Sequence, residues 1–342
     1  MSLSDTLLLA TQRALRASPS AALCVGLTHR GEHHVRASRH AGTPPAPDAL
    51  YELGFLTQVF TGSLLALLVD RGEAKLDTPL ADLLPRPLLP DERAGRITLG
   101  HLATHTSGLP RDPPNLKTPG QKPEDPYGHY GAELFGAFLR GYVPPRPPPR
   151  APAMSILGMG VLGHVLSRRV RLNYGHAVRE LLCTPLGLSD TTGVRLSEDQ
   201  EQRLLVGHSA RGVPRPAWTF PALPGAGALR STVPDLLRFL DANLGRGEAG
   251  LCRALRLAHG VAGDARGSHL GFGWRLRDVG GHPVVTCAAV TGGFAGFIGF
   301  SREADTGVVV LSDHAGSWLD SLRGRVPVER LGLELLMNPA RT

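Results

Sequence analysis

Lysine and cysteine are both scarce in this chain of 342 residues. Of its 37 basic residues only Lys75, Lys117 and Lys122 are lysine, so no mechanism can use a lysine amine elsewhere. The four cysteines, Cys24, Cys183, Cys252 and Cys287, lie far apart with no C-x-x-C spacing. Neither a disulfide framework nor a zinc site is indicated by that spacing. No apolar run approaches the ~18–20 residues of a membrane span. The first twenty residues, MSLSDTLLLATQRALRASPS, lack the basic start and small-residue cleavage site of a signal peptide. They read as an amphipathic helix with Ser4 or Asp5 as N-cap, and a soluble cytoplasmic protein is expected. Glycine (42) and proline (29) together stay under the ~25–30% of low-complexity chains.

What is present is an ordinary apolar fraction of 42% and a net charge of +7. The arginines are scattered. Their densest group, Arg168, Arg169 and Arg171, closes one predicted helix without an aromatic-interleaved basic stripe, so a nucleic-acid partner is not expected. Ala21–Thr28 and His33–Ser38 flank Arg30-Gly31, a hairpin signal. Leu56, Val59, Phe60, Leu64, Leu67 and Leu68 recur at helical spacing, predicting a helix buried on one face that stops at Asp70-Arg71-Gly72. Leu109–Arg150 is proline-rich and reads as loop around one short helix, Ala132–Arg140. Ile156–Arg169, Tyr174–Leu182 and Val233–Leu244 are helical, the last capped by Ser231-Thr232. Leu270–Arg277, Pro283–Ala288, Gly293–Phe300 and Gly307–Ser312 are short strands, and Pro327–Met337 is a closing helix. The order is α+β, with the terminal parts forming one sheet-centred domain and the middle inserted as a second lobe.

Six segments carry a family resemblance in a fixed order: YELGFLTQVFTGSLLALLVDRGEAKLDTPLADLLP (51–85), LGHLATHTSGLPR (99–111), SILGMGVLGHVLSRR (155–169), PLGLSDT (185–191), GAGALRSTVPDLLRF (225–239) and VTGGFAGFIGF (290–300). Together they resemble the serine β-lactamase and penicillin-binding-protein superfamily, and within it the class C β-lactamases and related esterases. The resemblance implies a β-lactamase-like antiparallel sheet flanked by helices, plus a mostly helical second lobe. Residues 1–85 and 225–342 would form the sheet domain, 86–224 the helical and loop-rich lobe, with the cleft between them.

That family performs acyl transfer with three motifs. A Ser and a Lys one helical turn apart share a face, so the amine can take the hydroxyl proton. A Tyr-x-Asn supplies a second proton carrier and an orienting amide. A Lys/His-x-Gly on the neighbouring strand completes the site, beside backbone N–H groups that form an oxyanion hole. Laid over this chain, the first motif falls on Phe55-Leu56-Thr57-Gln58, the second on Met154-Ser155-Ile156 and the third on Cys287-Ala288-Ala289. Phe55 has no nucleophilic atom, Gln58 no exchangeable proton near neutral pH, and Met154 no basic group. None of the three lysines falls in a motif. Native-type hydrolysis is therefore not expected.

The substitutions share a direction, from hydrogen-bonding to apolar or softer groups. They predict a cleft lined by Phe55, Gln58, Met154, Ile156, Cys287, Ala288 and Ala289, with Thr219 and Ala228 as further lining. That pattern is typical of a small-molecule pocket. The flanks of each motif are intact, which fits a repurposed cleft, in a natural pseudoenzyme or a deliberately redesigned scaffold. The expected partner is a small apolar molecule or an ester, with no cofactor and no metal. A second reading is a cysteine-dependent esterase using Cys287, with the backbone N–H groups of Phe55 and Val290 as oxyanion hole. Its histidine partner is not identifiable from sequence. A third is an interaction module presenting the proline-rich 143–152 segment as a polyproline ligand. Ser107 and His105 read as turn and structural residues, and Ser155 keeps a hydroxyl with no lysine or tyrosine beside it in the motif. His129, His269 and His314 show no metal-ligand spacing.

Overall fold

Alternation along the strands sends side chains to two separate cores, and this decides the architecture. A computed structural model of the chain describes residues 3–17, 21–39, 41–259, 262–263, 269–315 and 327–337. In chain order the strands are β1 (Ala22–His29), β2 (Glu32–Arg39), β3 (Tyr51–Glu52), β4 (Gly207–His208), β5 (Pro214–Arg215), β6 (Arg230–Ser231), β7 (Ala262–Gly263), β8 (His269–Leu270), β9 (Arg275–Val279), β10 (His282–Val290), β11 (Ala295–Ser301) and β12 (Thr306–Ser312). Eight of them form one antiparallel sheet in the order β2-β1-β12-β11-β10-β9-β8-β7. Val309 and Leu311 of β12 face one core, while Val308 and Val310 face the other. Both faces are covered, so β12 reads TGVVVLS rather than alternating with polar residues.

The outer core is closed by α1 (Leu3–Ala17) through Leu7, Ala10 and Leu15, together with the closing helix (Pro327–Met337) through Val328, Leu331 and Leu335. The first helix begins ahead of both expected caps. Ser4 and Asp5 fall inside it, with Asp5 in the first turn.

The inner core is centred on α2 (Thr57–Asp70), which is buried at every position from Thr57 to Leu68. The expectation of a helix buried on one face is thus corrected. Thr61, Gly62, Ser63, Leu65 and Ala66 fill the other faces, and a helix without a polar stripe must be enclosed all round. Its buried hydroxyls are satisfied locally. Thr61 Oγ1 donates to the Gly225 carbonyl and lies 2.7 Å from Tyr174 Oη, and Ser63 Oγ donates to Val59 O.

The predicted hairpin forms with Arg30 and Gly31 both at positive φ, the geometry of a two-residue turn between twisted strands. The predicted strand 270–277 is instead two strands, β8 and β9. Gly271-Phe272-Gly273 separates them, with Gly273 at φ +76°. The Phe272 backbone there donates to Ala258 O, and Gly273 donates to Ala103 O, in place of a ladder. No helix among the described residues is long and apolar enough to cross a membrane.

Candidate functional site

The cleft forms where the N-terminal end of α2 faces β10. A 3-10 turn, Gly54–Leu56, leads into α2. Gly54 has φ +49°, and a Cβ there would meet Thr291 Cγ2 at 2.2 Å, so only glycine lets this turn close against the β10–β11 connection. Thr57 Oγ1 accepts the Leu229 N–H at 3.1 Å and ties the same turn to the 225–229 segment. On the sheet side only His282–Thr286 of β10 pairs with β9, so Cys287–Val290 continues past the end of β9 along the cleft.

The cleft holds about 420 Å³. Five of the residues expected there line it: Phe55, Gln58, Met154, Cys287 and Ala288. Ile156, Ala289, Thr219 and Ala228 are not among its described lining residues, which corrects their assignment to the wall. Ile156 is wholly buried in the first turn of the helix Ile156–Val170, and Ala289 packs into the inner core. Thr219 is turned to Asp125, donating through its backbone N–H at 2.9 Å and its hydroxyl at 2.6 Å. Ala228 caps a short helix, Pro224–Gly227. Val290 pairs with Ala295 in the ladder, and its side chain packs toward the outer core.

Motif reading did not find the rest of the wall: His105, Pro152, Leu270, Gly273, Trp274, Arg275, Leu276 and Arg277. The cleft is therefore more cationic than the apolar pocket expected. Arg277 is paired with Glu329 at 2.6 Å, whereas no ion pair or hydrogen bond is formed by the Arg275 guanidinium among the described residues. The signal was in the sequence, since Trp274-Arg275-Leu276-Arg277 directly precedes the strand that carries Cys287, but its placement depends on the turn at Gly273.

Phe55 packs edge-on against Tyr127, Trp218 and Phe220, with ring centroids 6.4, 6.1 and 6.3 Å away. Gln58 is 3% exposed, and its Nε2 has no hydrogen-bond partner. Burial pushes the Cys287 thiol up to about 12, against the lowering effect of the nearby Arg275 charge. Ser155 is the N-cap of its helix. Its Oγ accepts the Gly158 N–H at 2.8 Å and donates to Pro110 O at 2.7 Å, leaving no free hydroxyl proton. Burial carries the His105 imidazole down to about 4, helped by Arg275. The neutral ring accepts the Ser155 N–H on Nδ1 at 3.2 Å, so its proton sits on Nε2 and it is a donor, not a base. Ser107 Oγ accepts the Leu109 N–H within its own turn.

His129 Nε2 lies 2.8 Å from Leu116 O, away from the cleft. The side chain of His269 lies outside the described residues. The proline-rich segment 143–152 ends on the cleft rim. Arg150 N–H donates to Thr106 O, Ala153 N–H donates to His105 O, and Pro152 lines the wall. The end of the segment is thus held against the 105–106 turn.

Comparison with known proteins gives a consistent picture. The Beta-lactamase family profile matches residues 9–326. Penicillin-binding protein 4 of Amycolatopsis lactamdurans is 29% identical over 78% of this chain and 73% of its own length. Esterase EstB of Burkholderia gladioli is 31% identical, covering 70% of this chain and 69% of its own. The D-alanyl-D-alanine-carboxypeptidase/endopeptidase AmpH of Escherichia coli (strain K12) is 31% identical over 58% of this chain, and the match spans 49% of that protein. Among solved structures, a class C beta lactamase from Rhodobacter sphaeroides superposes with a TM-score of 0.80 at 24% identity, covering 95% of this chain and 98% of the other. A beta-lactamase from Sulfitobacter sp. EE-36 gives 0.80 at 25% identity, with 98% of each chain covered.

Proposed function

This chain belongs to the β-lactamase family, and we propose that it is a member without the family's acyl-transfer chemistry, whose cleft binds a small molecule. The observation that carries this reading is the composition of the wall. Among the described lining residues there is no Ser, Thr, Tyr, Lys, Asp or Glu, and the one hydroxyl or thiol is that of Cys287. A covalent route needs a nucleophile and a base within hydrogen-bond reach. Among the described residues Cys287 has no hydrogen bond to a histidine, and His105 has its acceptor nitrogen occupied by Ser155, which favours the binding reading over the cysteine esterase.

The polar groups that remain are donors. The Gln58 amide N–H is buried and unpartnered, the Arg275 guanidinium is exposed and has no partner among the described residues, and the proton of His105 is on Nε2. An unmet buried donor costs ~1–3 kcal/mol, which a ligand acceptor would recover. Phe55, Met154, Leu270 and Trp274 supply apolar surface. The ligand class is thus a compact molecule with an apolar body and an oxygen acceptor, best a carboxylate. The lobe division at 1–85 with 225–342 against 86–224, and a cytoplasmic location, belong to the same proposal.

Thermal shift tests it. Phenylacetate and benzoate at millimolar concentration should raise the melting temperature, phenylacetamide and benzyl alcohol should do so less, and Arg275→Ala should remove the difference. Equal shifts from acid and neutral analogues, or none from either, would overturn the ligand class.

A further inference from the structure

Away from the cleft, at the far end of β12, two histidines 106 positions apart meet at one point. β4 is a two-residue strand whose His208 N–H donates to Gly293 O at 3.0 Å and Asp313 O at 2.8 Å, while Ala315 N–H donates back to His208 O. This pairs His208 with His314 as a parallel bridge. The two imidazoles stack, centroids 4.8 Å apart and planes 17° from parallel. The arrangement is rigid at its base. A Cβ at Gly207 would lie 2.5 Å from Phe294 Cε2 and 2.8 Å from Gly293 Cα, so no side chain fits beneath the pair.

The hydrogen bonds decide the tautomers. His314 Nδ1 lies 2.8 Å from Asp313 Oδ1, and that carboxylate also accepts the Ala22 N–H at 2.8 Å and the Arg39 guanidinium at 2.7 Å. A carboxylate facing three donors is ionised and only accepts, so the His314 proton is on Nδ1 and Nε2 carries the lone pair. His208 Nδ1 lies 3.3 Å from the Asp313 carbonyl, which also can only accept, so its Nε2 is likewise unprotonated. His314 Nε2 is buried without a partner, and the turn at Gly212 covers it: a Cβ there would sit 4.0 Å from that atom. Neither Nε2 finds a donor among the described residues.

Two neutral imidazoles with Nδ1–H anchored to an oxygen and Nε2 left bare are what a metal ion needs. The carboxylate behind one of them fixes the ring and raises its basicity. One donor atom from each of His208, Asp313 and His314 lies within 4.8 Å of the others. Because Asp313 is already held by Arg39 and Ala22, it serves as the orienting group and the imidazoles as ligands. Zn–N bonds of ~2.0–2.1 Å require ligand atoms roughly 3.4 Å apart, against up to 4.8 Å here, so loading requires the two rings to tilt out of their stack and close by as much as ~1.4 Å. We propose that His208 and His314, oriented by Asp313, form a site for a divalent transition metal of the zinc class, with water completing the coordination. Imidazole nitrogen selects Zn²⁺, Ni²⁺ or Cu²⁺ over Mg²⁺ and Ca²⁺.

The test uses the untagged full chain, stripped with chelator and titrated with Zn²⁺ by calorimetry, with Mg²⁺ as the control. One Zn²⁺ per chain and no response to Mg²⁺ are expected. His208→Gln and His314→Gln should each abolish binding, and Asp313→Asn should weaken it 10–100-fold, in the range for orienting groups. His33→Gln and His34→Gln, at the other histidine-rich place, should leave it unchanged. Should the variants misfold, Co²⁺ loading of the native chain gives an independent readout, through ligand-field absorption and paramagnetic shifts of two imidazole rings. No Zn²⁺ binding at millimolar concentration, binding that survives His208→Gln, or binding lost with His33→Gln would each overturn the site.

Discussion

Replacing Phe55 by alanine probes the feature that most separates this cleft from a catalytic one. The ring is 9% exposed, with one edge on the cleft and the rest set among Tyr127, Trp218 and Phe220. Truncating a buried phenylalanine costs ~3–5 kcal/mol, made up of lost transfer energy and the cavity left behind. The three edge-to-face contacts belong to that figure, at ~0.5–1.5 kcal/mol each and not additive. Because one edge already borders the cleft, water can enter the space, and the lower bound of about 3 kcal/mol is expected. For a chain of this size that is roughly 4 °C in melting temperature. Urea unfolding monitored by tryptophan fluorescence measures it directly, since Trp218 is in the cluster. Toluene or indole should bind the vacated space and recover part of the loss, as apolar cavities of this kind do. Phe55→Ser should be as unstable and still hydrolyse nothing, because Gln58 cannot take its proton. A loss below about 1 kcal/mol, or no rescue by a small aromatic compound, would refute the claim that Phe55 fills the site as part of its core.

Three further outcomes follow from the buried polar groups. With its thiol at about 12, Cys287 should react with iodoacetamide at pH 8 at least ~10³-fold more slowly than a free cysteine, and only unfolding should release it; mass spectrometry of the folded chain would show rapid labelling at this position if the burial were wrong. Glu52, raised by burial to about 7 although it accepts the Trp218 N–H, holds a proton in the folded chain that the unfolded chain has already lost. Its penalty is absent below pH ~4.5, grows up to ~7 and is constant above, so Glu52→Gln should gain on the order of 3 kcal/mol over wild type between those limits; a stability difference that does not change between pH 5 and pH 8 would contradict it. Ser155→Ala removes a helix cap and the donor to Pro110 O together, and should cost about 2 kcal/mol in urea unfolding; a near-zero cost would mean the hydroxyl is not engaged.

The parts legible in the sequence are those where local chemistry suffices. Arg30-Gly31 marks its hairpin because a two-residue turn needs positive φ, and Thr232 marks its helix because its hydroxyl accepts the Asp235 N–H. The resemblance located Phe55, Gln58, Met154, Cys287 and Ala288, and all five line one cleft. What stayed hidden depends on tertiary placement. Ile156 and Ala289 occupy motif positions but turn into the interior, since adjacent residues leave a helix or strand in different directions. Arg275 reaches the cleft only because Gly273 bends the chain, and no periodicity announces that. His314 showed no metal spacing in sequence and His208 drew no notice, because a β-bridge, not the chain, makes them neighbours.

The most direct test of the central claim is to incubate the purified chain with a chromogenic short-chain ester and, separately, with benzylpenicillin, and to read both chromophore release and intact mass. A chain without a competent nucleophile should release nothing above buffer and gain no acyl mass, before or after thiol alkylation. A burst of one equivalent with an acyl adduct mapping to Cys287, to any other cleft residue or to the neighbouring Ser155 would contradict it.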